Sequence, residues 1–431
     1  MPALKPANAS WPIVPLASEV KFLSGGTPTM SEAKYWNGDI PWVSSGEMNQ
    51  RKIHDTSHRV TEDGAKEGSK RVPARTVLAV VRGMSLAKEF RVAITARDVT
   101  FNQDLKALMP SKLLVPEFLF YYLLSQNQPI RDSASESAHG TKKIDTQVLE
   151  VWPLPLPAVL TQKKIAAVLS TYDEMIENNQ RRIALLEKLA EELYREWFVR
   201  LRFPGHEKVK LVKGVPEGWD LRRFSDIVEI NPTERIDKEE ERPFVAMEEL
   251  SVSSMYFTHR ENRKGHVGPK FRNGDVLFPR ITPSVENGKR GLVMTLAEGE
   301  VAQGSTEFIV LREKVLTAEH IYFLSVSEGF RTNAELSMTG ASGRQRVQEQ
   351  CFAQFLVKTP PPALREKFTS IVRPMVSQIH ILSTQTEVLQ RTRDLLLPRL
   401  ISGKLSVEHL DIQFPPGMKS EPSINPSHEQ P

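Results

Sequence analysis

Cationic side chains gather in two stretches of this 431-residue chain. Lys52, His54, His58, Arg59, Lys66, Lys70, Arg71, Arg75, Arg82, Lys88, Arg91 and Arg97 lie in the first, between residues 51 and 97. Arg260, Arg263, Lys264, His266, Lys270, Arg272, Arg280, Lys289 and Arg290 lie in the second, between 260 and 290. Two polar loops add further donors: Ser137-Ala138-His139-Gly140-Thr141-Lys142-Lys143, and Thr339-Gly340-Ala341-Ser342-Gly343-Arg344-Gln345-Arg346. Cations position phosphates, glycine permits close backbone approach, and Arg, Lys, Gln and Ser can bond base edges. The chemistry these residues suit is the binding of a polyanion at two places. Much of the compensating acid sits elsewhere, at Glu187, Glu191, Glu192 and Glu196 and in Lys238-Glu239-Glu240-Glu241. That is why 57 Lys+Arg against 53 Asp+Glu sum to a formal net charge of only +4.

Residues for bond-making chemistry are missing. No G-x-x-x-x-G-K-[ST] phosphate loop and no G-x-G-x-x-G dinucleotide loop occurs. An Asn-Pro-Pro-aromatic tetrapeptide is absent too, the nearest match being Asn231-Pro232-Thr233-Glu234. Glu19-Val20-Lys21 and Glu32-Ala33-Lys34 have nuclease-like E-x-K spacing, yet no Asp precedes either. The histidines form no H-E-x-x-H pair, and the single Cys351 can make neither an internal disulfide nor a multi-Cys zinc site. One cysteine points to a reducing compartment, and no apolar run nears a membrane span of roughly 18 to 20 residues. The expectation is a cytoplasmic binder with no membrane contact, no catalytic residue, and no cofactor-binding or metal site.

The elements that position the cations repeat. Residues 161–200 predict one long helix whose inward positions step by four and three, the heptad seam of a coiled coil. Its seam is Ile165, Leu169, Tyr172, Ile176, Asn179, Ile183, Leu186 and Leu193, with Ala190 and Trp197 in the same register. An offset of 203 residues (368 − 165) gives a second seam: Phe368, Val372, Met375, Ile379, Leu382, Leu389 and Leu396. Thr386 and Arg393 interrupt this second stripe, and Pro374 predicts a kink or a late start. Upstream, Glu117-Phe118 parallels Glu319-His320, Val77-Leu78 parallels Val276-Leu277, and Trp11 parallels Trp219. Short Val-, Ile- and Phe-rich runs make each upstream region β-rich. The fold class is therefore α+β, with two β-rich modules in tandem repeat separated by two long antiparallel coiled-coil helices. The boundaries are a first module at 1–160, a first helix at 161–203, a second module at 204–362, a second helix at 363–405 and a tail at 406–431. The Pro- and Ser-rich stretch from Phe414 reads as disordered.

Several runs carry a family resemblance. Ser24-Gly25-Gly26-Thr27-Pro28, Tyr35-Trp36-Asn37-Gly38-Asp39-Ile40-Pro41-Trp42 and Val43-Ser44-Ser45-Gly46 look like the opening of a target-recognition domain. Gly274-Asp275-Val276-Leu277-Phe278 and the helix entry Pro157 to Gln162 to Ile165 fit the same pattern. Together they resemble the DNA-specificity subunit of type I restriction–modification systems. The second half departs from it, with Asn231-Pro232-Thr233 in place of Gly-Gly-Thr-Pro and Arg365 in place of Gln162. The resemblance implies that each module reads half of a bipartite site in double-stranded DNA and that the helix pair sets the spacer. It also implies two docked adenine methyltransferase subunits using S-adenosylmethionine, and restriction/translocase subunits using ATP and magnesium. The DNA-binding candidates are Ser44, Ser45, Lys70, Arg71, Arg82, Lys142 and Lys143 in the first module. In the second they are Arg280, Lys289, Arg290, Arg344, Gln345 and Arg346. Two rivals remain open at this point: a self-contained nuclease or methyltransferase with a cryptic site, and a coiled-coil adaptor that never touches DNA.

Overall fold

A computed structural model describes residues 11–136, 141–259, 261–265, 268–341, 343, 345–415 and 418. The chain divides into two compact units, one of residues 1–175 with 389–431 and one of residues 176–388. In the first unit a five-stranded sheet runs in the order Val20–Ser24, Leu105–Pro110, Val77–Val80, Val92–Thr95, Lys52–Ile53. Val77-Leu78-Ala79-Val80 forms its middle strand and is wholly buried, which is why that run is apolar at every position rather than alternating. The helix Pro116–Ser125 opens on a proline that fits the first turn and adds Phe118, Leu119 and Tyr122 to the same core. A separate four-stranded sheet orders Arg59–Val60, Trp36–Val43, Val99–Phe101 and Arg71–Val72.

The second unit repeats the plan. One sheet orders Val228–Ile230, Phe308–Glu313, Val276–Pro279 and Gly291–Leu292. The other orders Glu261–Arg263, Arg242–Val245, Ala302–Gly304 and Lys270–Phe271. The helix Ala318–Val326 stands where Pro116–Ser125 stands in the first.

The two long helices are Val159–Tyr194, prolonged by a π turn over Arg195–Val199, and Pro362–Ile401. Within each unit they run antiparallel. Ile165 and Leu169 share a core with Leu397, Leu400 and Ile401 in the first unit. In the second, Tyr194 and Trp197 lie against Phe368 at ring-centroid distances of 5.9 and 6.0 Å. Ile165, Leu169, Ile176, Asn179, Phe368, Val372, Ile379 and Leu382 are buried. Tyr172, Ile183, Leu186, Leu193, Met375, Leu389 and Leu396 are half-buried, and Tyr194, Val376 and Leu397, each one residue along, lie deeper. A helix of 3.6 residues per turn drifts against a strict heptad, so the inward position shifts by a residue along the seam.

Three expectations are corrected. Thr386 and Arg393 do not interrupt the seam but are buried in it. The Thr386 hydroxyl donates to the Leu382 carbonyl at 2.8 Å, and Arg393 donates to Asp173 at 2.6 Å. The second helix has no late start: it runs unbroken from Pro362 through Pro374. Ser370 and Pro374 are both exposed, so water can satisfy the carbonyl that the proline leaves without a donor. The C-terminal stretch is not disordered throughout. Val407 is buried, and Ile412, Phe414 and Met418 pack on Ala166 and Ala167. Residues 416–417 and 419–431 lie outside the described residues.

Candidate nucleic-acid interface

In the first unit the buried strand Val77–Val80 emerges as a two-residue strand, Arg82–Gly83. Lys142–Lys143 pairs antiparallel with it, Lys143 opposite Arg82 and Lys142 opposite Gly83, and Ser135–Glu136 pairs on the outer side. The Ile144 amide donates to the Val81 carbonyl at 2.9 Å and locks the returning loop in place. Residues some sixty positions apart, Arg82, Lys142 and Lys143, thereby share one small sheet (142 − 82 = 60). Arg82 is exposed, and neither it nor Lys142 pairs with a carboxylate among the described residues, whereas Lys143 pairs with Asp145 at 2.5 Å. Residues 137–140, including His139, lie outside the described residues.

The second unit builds the same device. Strand Val276–Pro279 leads into Arg280, the Val347 amide donates to the Arg280 carbonyl at 2.8 Å, and the Thr282 amide donates to the Gln345 carbonyl at 3.1 Å. Ile281 faces Arg346 in an isolated antiparallel bridge. Gln345 and Arg346 thus take the places of Lys142 and Lys143, while Arg280 stands at the place of Val81 and Ile281 at that of Arg82, so the arginine enters one residue earlier in the second unit. Here, however, both arginines have carboxylates. Arg346 makes a forked contact with Glu307, with Nε at 3.0 Å from each oxygen and Nη2 at 2.6 Å, and Arg280 approaches Glu349 at 3.5 Å. The Arg346 hydrogen bonds hold the Glu307 carboxyl below the usual carboxylate range. The Nε of Arg280 and the hydroxyl of Thr282 are buried with no partner. Arg344 lies outside the described residues, as do Arg260 and His266.

The remaining candidates divide. Ser44 and Ser45 follow the strand Trp36–Val43 at a short 3-10 turn, and Lys70 and Arg71 lie at the edge strand of that same sheet. Lys70 is exposed, but Arg71 is held between Glu62 at 2.9 Å and Asp98 at 3.3 Å. Lys289 is half-buried and donates to the Met247 carbonyl at 3.1 Å. Arg290 is a correction: it is 3% exposed, donates to the carbonyls of Gly288 and Ser325, and lies over the Phe278 ring. Burial lowers its guanidinium to about 10, and it serves the core rather than a surface.

The motifs behind the resemblance prove to be scaffolding. A Cβ on Gly25 would meet the Phe101 carbonyl at 2.2 Å, and one on Gly26 would meet that of Gly68 at 2.3 Å, so only glycine lets these backbones touch. Trp36 and Trp42 stack edge-on at 5.3 Å and donate to the carbonyls of Thr29 and Gly26. Gln162 ties the helix entry down: its Oε1 accepts from the Val115 amide, and its Nε2 donates to the Leu113 and Pro157 carbonyls, each at 2.8 Å. Arg365 does the same work in the second unit, donating to the carbonyls of Pro360 and Val315. The Gln-to-Arg departure preserves the clamp.

Sequence reading missed the groups that fix the first module on the helices. Asp173 accepts from Arg393, from Arg51 at 3.3 Å and from the Tyr121 hydroxyl at 2.7 Å. It missed Glu307 as well, although its place 203 residues after Asp104 (307 − 104) could have flagged it. Among the described residues no group of His, Cys, Asp and Glu gathers to hold a metal, and no helix is long and apolar enough to cross a membrane.

A model of the type I restriction modification DNA specificity domain matches residues 10–188. The MjaIX type I restriction enzyme specificity subunit of Methanocaldococcus jannaschii is 27% identical over 93% of this chain and 94% of its own. A type I restriction enzyme specificity subunit of Escherichia coli is 29% identical over 44% of this chain and 48% of its own. The crystal structure of the type I restriction–modification S subunit from M. genitalium, 16% identical, aligns over 93% of this chain and 99% of that one. Its TM-score is 0.59, which shows a shared fold. Residues 10–188 thus match the type I restriction modification DNA specificity domain, and with module, helix, module and helix all accounted for, the chain is similar over nearly its whole length to the specificity subunits of type I restriction enzymes.

Proposed function

We propose that this chain reads a bipartite target in double-stranded DNA, one half per module, and performs no bond chemistry itself. The observation that carries the reading is the duplicated device: a buried strand that leads out to an arginine, Arg82 in one unit and, one position earlier, Arg280 in the other, met by a returning loop that adds Lys142 and Lys143 or Gln345 and Arg346. Arg and Lys at such edges bond guanine and phosphates, and Gln bonds adenine. The antiparallel helices set the gap between half-sites and dock two methyltransferase subunits. Leu185, Leu189, Ile381 and Val388 support that docking, being apolar yet exposed on the long helices. S-adenosylmethionine would be held by those partners, and ATP and magnesium by a restriction/translocase subunit, in a cytoplasmic complex.

Matched seven-residue insertions after Met175 and Val388, which keep the heptad in both helices, test the reading. Seven helical residues add roughly 10 Å, about three base pairs of duplex. Methylome sequencing should show the gap lengthened by about that amount with both half-sites unchanged. Altered half-sites with an unaltered gap would sink the ruler assignment. A purified chain that methylates or cleaves DNA unaided would favour the catalytic rival, and one that adds no sequence preference to its methyltransferase would favour the adaptor.

A further inference from the structure

The two reading devices share a backbone and differ in where their cations stand and how these are paired: Arg280 takes the place of Val81, and Arg346 that of Lys143. In the first, the Asp104 carbonyl accepts from the Val81 amide at 2.9 Å and the Arg82 amide at 3.2 Å, and in the second the Glu307 carbonyl accepts from the Arg280 amide at 2.8 Å. The acids occupy equivalent places, yet their side chains do different things. The Asp104 carboxylate accepts from the Asn102 amide at 3.3 Å, within its own turn. The longer Glu307 reaches across to Arg346 and grips it with both oxygens. Glu349 approaches Arg280 more loosely, through one oxygen at 3.5 Å, where the first module has Thr146. The Arg346 side chain is 48% exposed, so its guanidinium faces solvent while its charge is already answered.

From this geometry, and resting on the DNA-reading assignment above, we infer that Glu307 and Glu349 act as built-in phosphate stand-ins that set the specificity of the second module. A forked carboxylate presents a guanidinium with two oxygens much as a phosphate does. A random duplex offers phosphates without the matching base edges, and contact with phosphates alone replaces one anion by another with little gain. The correct half-site adds base-edge bonds, and those carry Arg346 and Arg280 off their carboxylates. In the first module Lys143, at the place of Arg346, has a single contact with the exposed Asp145, and Arg82 and Lys142 pair with no carboxylate among the described residues, so this module supplies the more salt-sensitive, sequence-tolerant grip. Glu307 and Glu349 are positioning residues: they touch the arginines, not the DNA.

The test uses the full chain co-purified with its methyltransferase subunit, on its own methylation target and on random duplex, over a salt series. E307Q keeps the shape of the side chain and removes the charge. It should raise affinity for random duplex several-fold at about 50 mM salt and steepen the slope of log K against log salt by about one, the signature of one more phosphate contact. Target affinity should rise less, so the ratio of target to random binding falls. E349Q should do the same more weakly and, being at a more exposed acid, keeps the test intact if E307Q misfolds. E217Q removes an equal charge from an exposed site of the same unit and should change nothing. Unchanged random-duplex binding in E307Q and E349Q overturns the inference, and so does an equal rise in E217Q. A wild-type complex with no preference for its target overturns the DNA-reading assignment and this inference together.

Discussion

The first and second modules hold the same strands and loops in place with different side chains. The residue leading into the buried strand has a left-handed backbone in both, Arg75 at φ 65° and Gly274 at φ 90°. Arg75 uses its side chain to hold Glu117, Nε to Oε1 at 2.7 Å. Gly274 has none, and the equivalent Glu319 is held instead by Arg373 of the second long helix, also at 2.7 Å. Phe118 in one core is His320 in the other. On the helices, the first module is fixed by the charged set Arg51, Asp173 and Arg393. The second is fixed by Glu187, which accepts from the Ser254 hydroxyl at 2.9 Å and the Met255 amide at 2.7 Å. Duplication has kept the backbone positions and let the partners move, because a buried acid needs a donor but not a particular one.

Asp173→Ala should have the largest effect on this comparison. It takes a partner from Arg393, Arg51 and Tyr121 at once and leaves the buried Arg393 only the exposed Asp394, at 2.9 Å, so it should cost the first unit about 3 kcal/mol, the lower end of the range for breaking a buried pair. Glu187→Ala should cost the second unit only about 1–3 kcal/mol, since it breaks bonds to neutral donors. Hydrogen-exchange protection, read separately for each unit, measures both. A larger loss in the second unit would reverse the ranking.

Acid should separate the modules next. His320 is 2% exposed among Phe198 and Phe368, its Nε2 has no partner, and burial depresses it to about 3. Its stability contribution is whole above the ordinary histidine value near 6.5 and is lost as pH falls from there towards 3, because the unfolded chain takes the proton first. The second unit should weaken by roughly 3 kcal/mol between pH 7 and 4 on this account, and His320→Phe should remove that excess. An unchanged acid midpoint in His320→Phe would assign the sensitivity elsewhere.

The smallest effect concerns the two acid holders. The Glu319 side chain is 6% exposed and that of Glu117 is 14%, so losing the arginine leaves the more deeply buried charge in the second module. Arg373→Met should therefore destabilise more than Arg75→Met, by about 1 kcal/mol. Denaturant midpoints with equal slopes would show it, and equal costs would mean that depth does not decide.

What the sequence disclosed followed from periodicity. Steps of four and three revealed both helices, and an offset of 203 residues (365 − 162) paired Gln162 with Arg365 before any contact was visible. The cations of the returning loops were legible by type and place. Charge alone could not show that Arg290 is buried, because burial depends on Phe278 and Ser325 arriving from other elements. Nor could it show that Arg346 is already gripped, since Glu307 lies 39 residues away (346 − 307) on another strand connection. Arg393 was read as a flaw in the seam because its partner, Asp173, sits 220 positions earlier (393 − 173). Local pattern finds elements, while pairing across elements needs the fold.

Methylome sequencing of hosts carrying the wild-type chain, an Arg82→Ala/Lys142→Ala variant and an Arg280→Ala/Gln345→Ala variant tests the central claim most directly. The account predicts an interrupted motif in which the first variant relaxes one half only and the second variant the other half only. A continuous motif, or either variant relaxing both halves alike, would contradict it.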